Sequence, residues 1–316
     1  MSEAAQGTGR VLGGYLVPNK PHPLLAPERS PAWGSLQEAY GRVREEIQAS
    51  GADLLLLFST RWTSIIGHQM QADPNPKWWV VDEDFHDLGT LHYDLRVDAE
   101  FAETYRDCAQ ARGLAARTVA YEGFPIDVGT ITALKLLDPE GRIPAGVVSC
   151  NIYSDRAETL VLGKAARDAI ERSGRKAVLV GVSALSNRMF TEWIDPREDR
   201  IHSLKDDEWN QKLLELLGEG RLEDVSQLSR EFSRQANGDS KMKALWWLSA
   251  AMGQSNDYRG TVFDYQPVWG TGAALVGLQP APSASGGLEY DEDDTEFFRG
   301  DRNVIAASAP DQPSDS

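Results

Sequence analysis

The sequence predicts an α/β fold: a central sheet, mostly parallel with some mixed pairing, flanked by helices on both faces. Three observations predict it. Apolar runs of strand length at 11–17, 53–59, 146–151 and 177–182 alternate with longer segments of helical period. The run 177–182 is apolar throughout rather than alternating, which suits a strand buried on both faces. Of 316 residues, 41% are hydrophobic and 25% charged, which leaves enough apolar surface for a sizeable core. No internal repeat is present. Residues 11–279 read as one domain between a loose leader at 1–10 and an acidic, disordered tail at 280–316.

In order, 11–17 is a short strand closed by Pro18. Pro18, Pro21, Pro23, Pro27 and Pro31 then forbid regular structure between Asn19 and Pro31 and stiffen a loop. Residues 35–50 carry the spacing of an amphipathic helix, with Ser35 as N-cap and Gly51 just past its end. Strand 53–59 follows. Residues 63–97 read as a long irregular stretch crowded with Trp78, Trp79, Phe85, His86, His92 and Tyr93. A long aromatic loop in a compact domain suits binding or an interface. Residues 98–112 form a helix and 119–124 a strand, and 127–137 leads through a loop into another helix.

Strand 146–151, helix 155–173 and strand 177–182 continue the alternation, and helices follow at 206–217, 221–236 and 242–252. The last carries adjacent Trp246 and Trp247. Neighbours on a helix face different directions, so one is expected in the core and the other at an interface. Residues 262–278 supply closing strands and turns. From Pro280 onward Ser, Pro, Gly and acidic residues dominate, with an acidic run at 289–296 that buries too little apolar surface to fold alone.

The net charge of −16 disfavours nucleic acid, whose binding needs a basic footprint, and an anionic membrane surface would repel the chain. No apolar run approaches the ~20 residues that span a bilayer. The polar stretch Met1 to Arg10 does not read as a signal peptide. Two isolated cysteines, Cys108 and Cys150, define no disulfide framework. Together these suggest a cytoplasmic protein with reduced thiols. Cys150 has no evident histidine partner, which weighs against a nucleophile.

Four polar positions stand out: Asn19, Arg61 and Asn187 after strands, and Lys243 early in a late helix. Open α/β sheets place their sites at such strand ends. The surrounding segments are Val17-Pro-Asn-Lys-Pro-His22, Ser59-Thr-Arg-Trp62, Gly181-Val-Ser-Ala-Leu-Ser-Asn187 and Lys241-Met-Lys-Ala-Leu-Trp-Trp247. Gly123-Phe-Pro-Ile-Asp-Val-Gly-Thr130, Asp195-Pro-Arg-Glu-Asp-Arg200 and Glu208-Trp-Asn210 belong with them. In this order and spacing they resemble the class III extradiol ring-cleavage dioxygenases, the superfamily of the protocatechuate 4,5-dioxygenase catalytic subunit. The resemblance covers roughly residues 11–279. It is nearest to the non-catalytic α-type subunits of 2-aminophenol-cleaving members.

That resemblance implies a site whose chemistry has been replaced. Active members hold Fe(II) with two histidines and a glutamate, leaving positions for a chelating aromatic ring and O2. Carried over, the histidine ligands fall on Asn19 and Arg61 and the glutamate on Lys243. The acid–base histidine falls on Asn187 and a substrate-side histidine on Val128. Arginine and lysine are cations with no lone pair for a metal. The resemblance therefore implies no catalytic residue, metal or cofactor in this chain, with Fe(II) in a homologous catalytic partner of a heterodimer or heterotetramer. It also implies a collapsed vestigial pocket of Asn19, Arg61, Asp127, Asn187 and Lys243, its cations paired with acids such as Asp127.

Alternatives stand beside this. The pocket is repurposed for an anionic aromatic acid, as a metal-independent enzyme or a catabolite sensor. His22, His68, His86, His92 and His202 supply ligands in another arrangement, against the plainer reading of satisfied or exposed histidines. Lys243 acts as an amine nucleophile, against a structural cation.

Overall fold

The computed structural model describes residues 9–281; the leader up to residue 8 and the tail from 282 lie outside the described residues. Its frame is an eight-stranded sheet built from β1 (Arg10–Val17), β2 (Leu54–Ser64), β3 (His68–Gln71), β6 (Ala116–Val119), β7 (Ala145–Asn151), β8 (Lys176–Val182), β9 (Tyr258–Val268) and β10 (Thr271–Pro280). The spatial order is β6-β3-β7-β2-β8-β1-β10-β9. The central four strands run parallel, β7 with β2, β2 with β8 and β8 with β1. Antiparallel pairs enter at β3–β7 and at β1–β10–β9. The expected mixed, mainly parallel α/β sheet is therefore present. A separate antiparallel hairpin joins β4 (Lys77–Val81) to β5 (Thr90–Asp94).

Period-two alternation explains how an unbroken apolar strand serves two cores. Leu54, Leu56 and Phe58 pack with α3 (Ala99–Ala111), α5 (Arg156–Ser173), α6 (Leu204–Gly218), α7 (Leu222–Ala236) and α8 (Lys243–Met252). Leu55 and Leu57 face the other way, onto α2 (Pro31–Ser50) and α4 (Val128–Leu137). Helices cover both faces because both faces are apolar. The α5–α8 crossing is close enough to require glycine: a Cβ on Gly163 would lie 2.5 Å from the Trp247 carbonyl oxygen.

Several expectations need correction. The proline-rich stretch is not devoid of regular structure. It holds α1 (His22–Leu25) and a 3₁₀ turn at Pro27–Arg29, because proline fits the first turn of a helix, where its missing N–H costs nothing. For the same reason α2 begins at Pro31 with Ser30, not Ser35, at its N-cap, and ends at Gly51 in the left-handed conformation. The stretch 63–97 contains the end of β2, all of β3, and the β4–β5 hairpin. β3 escapes pattern reading because His-Gln-Met-Gln is mostly polar, yet His68 is buried against Glu158 at 3.0 Å and Gln71 against its own turn. The strand expected at 119–124 lies at Ala116–Val119, and a turn through left-handed Gly123 follows it.

Trp246 and Trp247 are both core. Trp246 donates to the Ser226 carbonyl, and Trp247 donates to Tyr105 and stacks on Phe58. Trp78 and Trp79 on β4 stay half exposed. Among the described residues no helix is long and apolar enough to cross a membrane.

Candidate functional site

The carboxyl ends of the parallel strands finish level. Val17 pairs with Val182, Val182 with Ser59, and Ser59 with Ser149. The chain leaving each strand therefore enters one space, as open parallel sheets arrange their sites. β2 adds a device of its own. Against β7 its register jumps from Ser59↔Ser149 to Thr63↔Cys150, so Thr60, Arg61 and Trp62 loop out of the ladder. Such a bulge re-aims side chains, here toward a cleft of ≈ 540 Å³.

Asp239 is the hub beneath this cleft, 4% exposed. Its Oδ2 accepts from Asn19 Nδ2 at 2.9 Å, Thr60 Oγ1 at 2.7 Å, Ser183 Oγ at 2.9 Å and the Ala184 N–H at 3.1 Å. Its Oδ1 accepts from Asn187 Nδ2 at 3.1 Å. One carboxylate thus ties the exits of β1, β2 and β8 to the turn before α8. A buried charge is tolerable when its lone pairs are filled in this way. Asn19 and Asn187, singled out by sequence, meet here on an acid that sequence reasoning missed. Asp239 sits in Asn237-Gly238-Asp239-Ser240, which reads as an ordinary turn.

The turn is strained. Ser240, Lys241 and Met242 all have positive φ, at 46°, 58° and 65°. Each such non-glycine residue costs roughly 1–2 kcal/mol. Fixed neighbours hold the segment: the Asp239 N–H donates to Leu185, and Gly238 bridges Ser186.

Lys20, adjacent to Asn19, is a second residue that sequence reasoning missed. It lines the cleft, is 3% exposed, and places Nζ 3.3 Å from Asn187 Oδ1. Burial pushes its pKa down to about 8; Asp239 opposes this and the Arg61 guanidinium adds to it.

Arg61 lines the same cleft but bonds Asp82 at 3.0 Å and Asp84 at 3.3 Å, not Asp127 as expected. Burial lowers its pKa, but these two carboxylates outweigh burial and hold the guanidinium above its usual range. Asp127 is instead the N-cap of α4: Oδ1 accepts from the Thr130 N–H at 2.9 Å and Ser59 Oγ at 2.7 Å. Val128, the first residue of α4, completes that wall. Trp62 and Phe124, 6.0 Å apart edge to face, form an aromatic side.

Lys243 departs from the expected pocket. It is buried but not among the cleft's lining residues, and its Nζ donates to the Asn151 carbonyl. The left-handed turn ahead of α8 brings Asp239 to the cleft, and Lys243 is held against the end of β7. Nor has the cleft collapsed; it stays open with charged and polar walls.

The histidines fill other roles. His22 lies edge-on to Trp33 at 4.5 Å and Phe85 at 4.4 Å, beside a second, aromatic cleft of ≈ 760 Å³. Burial, with Lys20 and Arg29 adding, pushes its pKa down to about 3, so it is neutral. His68 pairs with Glu158, His202 stacks on Phe190, and His86 and His92 are exposed. Among the described residues no three His, Cys, Asp or Glu side chains converge as metal ligands. Burial pushes the Cys150 thiol up to about 12, the opposite of an activated nucleophile.

A parallel-centred sheet with a polar cleft at its strand ends is an architecture shared by many α/β proteins, and similarity to known proteins narrows it to one family. Residues 18–276 match the family model of the catalytic LigB subunit of aromatic ring-opening dioxygenase. The chain belongs to this family. It is 33% identical, over 268 residues, to the 2-aminophenol 1,6-dioxygenase alpha subunit of a Pseudomonas species, covering 84% of this chain and 98% of that one. It is 32% identical, over 286 residues, to the beta subunit of a 2-aminophenol 1,6-dioxygenase from Pseudomonas, covering 85% and 93%. Among solved structures, the uncharacterized protein JW3007 from Escherichia coli K12 shares the fold, with a TM-score of 0.60 at 12% identity, over 84% of this chain and 99% of that one.

Proposed function

We propose that this chain is the non-catalytic subunit of a two-subunit, cytoplasmic ring-opening dioxygenase. Its partner is a homologous subunit that keeps the iron ligands and cleaves 2-aminophenol or a related aromatic ring with Fe(II) and O2. Overall identity does not choose between the alpha-like and beta-like roles, since the two relatives stand at 33% and 32%. The donor set at the strand ends carries the reading. Asn19, Lys20, Arg61 and Asn187 offer amides and cations, Asp239 at the centre has its Oδ2 filled by four donors, and Asp127 in the wall is bonded by Ser59 and Thr130. Fe(II) in this family's chemistry needs imidazole and carboxylate lone pairs. The residues present do not fit the ion, and no chemical step is derived through it. The chain's part is to hold its partner and shape the surface around the partner's site.

The test is iron content after anaerobic reconstitution with Fe(II), on this chain alone and co-purified with a homologous subunit that retains two histidines and a glutamate. Iron near zero alone, with 2-aminophenol cleavage appearing only in the complex, is the expected result. One iron per chain in the isolated protein would overturn the assignment. A second reading rests on the open cleft: a pocket for an anionic aromatic acid, in a metal-independent enzyme or a sensor. Thermal stabilisation by such acids in the isolated chain would favour it.

A further inference from the structure

We propose that Lys20 is a carbonyl-capturing amine, and that the cleft it lines binds small aromatic or conjugated aldehydes as a Schiff base. The amine sits in a cleft of ≈ 540 Å³, within the range that encloses small organic ligands. Its hydrogen bond to Asn187 Oδ1 is long, at 3.3 Å, and among the described residues no carboxylate makes a salt bridge with it. Asn187 is itself fixed by Asp239, so the nitrogen has a defined position. Trp62 and Phe124, packed edge to face, supply an apolar side for a conjugated body. Lys243, the other buried lysine, is outside the cleft lining and held by the Asn151 carbonyl. Lys77, by contrast, is exposed and ion-paired to Asp94.

The chemistry balances without a metal or an oxidant. The neutral Nζ adds its lone pair to the aldehyde carbon, giving a carbinolamine. Loss of the carbonyl oxygen with two protons as water leaves a C=N bond. A desolvated lysine beside another cation is a recognised way to supply the neutral amine. Desolvation and Arg61 lower the proton affinity of Lys20, while Asp239, Asp82 and Asp84 raise it; His22, also nearby, is uncharged. At pH 7 roughly a tenth of such an amine is free base, against well under a thousandth for an ordinary lysine. This inference does not rest on the subunit assignment, because it needs neither iron nor a partner.

The experiment treats the full chain with 3-hydroxybenzaldehyde and sodium cyanoborohydride near neutral pH and maps the adducts by peptide mass. Lys20 should carry the first adduct, at least tenfold faster than Lys77, with a rate that rises through about pH 8. Lys20→Arg, which keeps the charge but not the nucleophile, should lose that adduct while Lys77 labels as before. Unreacted Lys20 beside labelled surface lysines would overturn the proposal. So would a Lys20 rate that rises only above pH 10, or first-adduct kinetics unchanged in K20R. The wild-type site map and pH profile decide the matter even if the variant fails to fold.

Discussion

Asp239 shows how one residue organises a site. Its carboxylate accepts hydrogen bonds from the exits of three strands, and each donor is itself buried or half-buried. Asp239→Asn keeps the shape but turns one acceptor oxygen into an NH2 group, which must face donors. Leaving a buried donor unpaired costs about 1–3 kcal/mol. We expect D239N to lose about 3 kcal/mol in urea unfolding, with a lower midpoint and an unchanged slope. A loss under about 1 kcal/mol would mean that the donors find other acceptors. Lys243 makes the complementary point: a lysine can be buried when a backbone carbonyl receives its amine.

At the scale of elements, irregularities position the site. The β2 bulge delivers Arg61 and Trp62, and the left-handed turn at 240–242 delivers Asp239. Lys241 is exposed and has φ 58°, so its side chain gains little from where it is. Lys241→Gly removes the steric cost of that conformation and adds entropy to the unfolded chain. The first effect is the larger, and we expect a gain of about 0.5–1 kcal/mol, read as a rise in Tm. An equal loss would show that the lysine side chain holds the turn. A third irregularity closes the β9–β10 hairpin, where Trp269 and Gly270 both have positive φ. Asp199 holds this turn, accepting from the Trp269 N–H at 2.6 Å, the Gly270 N–H at 3.1 Å and Trp33 Nε1 at 3.1 Å. The segment Asp195 to Arg200, singled out in the sequence, thus contains a structural carboxylate.

For the whole molecule, buried titratable groups set how stability responds to pH. His22 holds a proton below about pH 3 when folded and below 6.5 when unfolded. Between these limits the unfolded state binds more protons. Its contribution is therefore flat above pH 6.5 and destabilises as pH falls from there toward 3, by at most about 1.4 kcal/mol per unit. His22→Phe, set among Trp33 and Phe85, should lose less stability than the wild type between about pH 7 and pH 5, by about 2 kcal/mol. Parallel pH curves for the two proteins would mean that the imidazole already takes up its proton in the folded state.

The sequence by itself determined the layered α/β sheet, the main alternation of strands and helices, and the family. Those follow from periodicity and from motifs read locally, as at Leu54–Phe58, where every residue is apolar and both faces need cover. The resemblance implied one pocket of Asn19, Arg61, Asp127, Asn187 and Lys243 beside Val128, and all of these but Lys243 line one cleft, as parallel strands ending at one edge allow. Only the tertiary structure decided what those residues touch. Lys20 joins the site from the exit of β1, while Asp239 enters and Lys243 leaves its lining through three left-handed residues that no propensity announces. Hydrogen bonds across 220 residues of chain, such as Asn19 to Asp239, form only once the sheet sets the distance. Local preference cannot encode a pairing whose energy depends on both partners leaving water together.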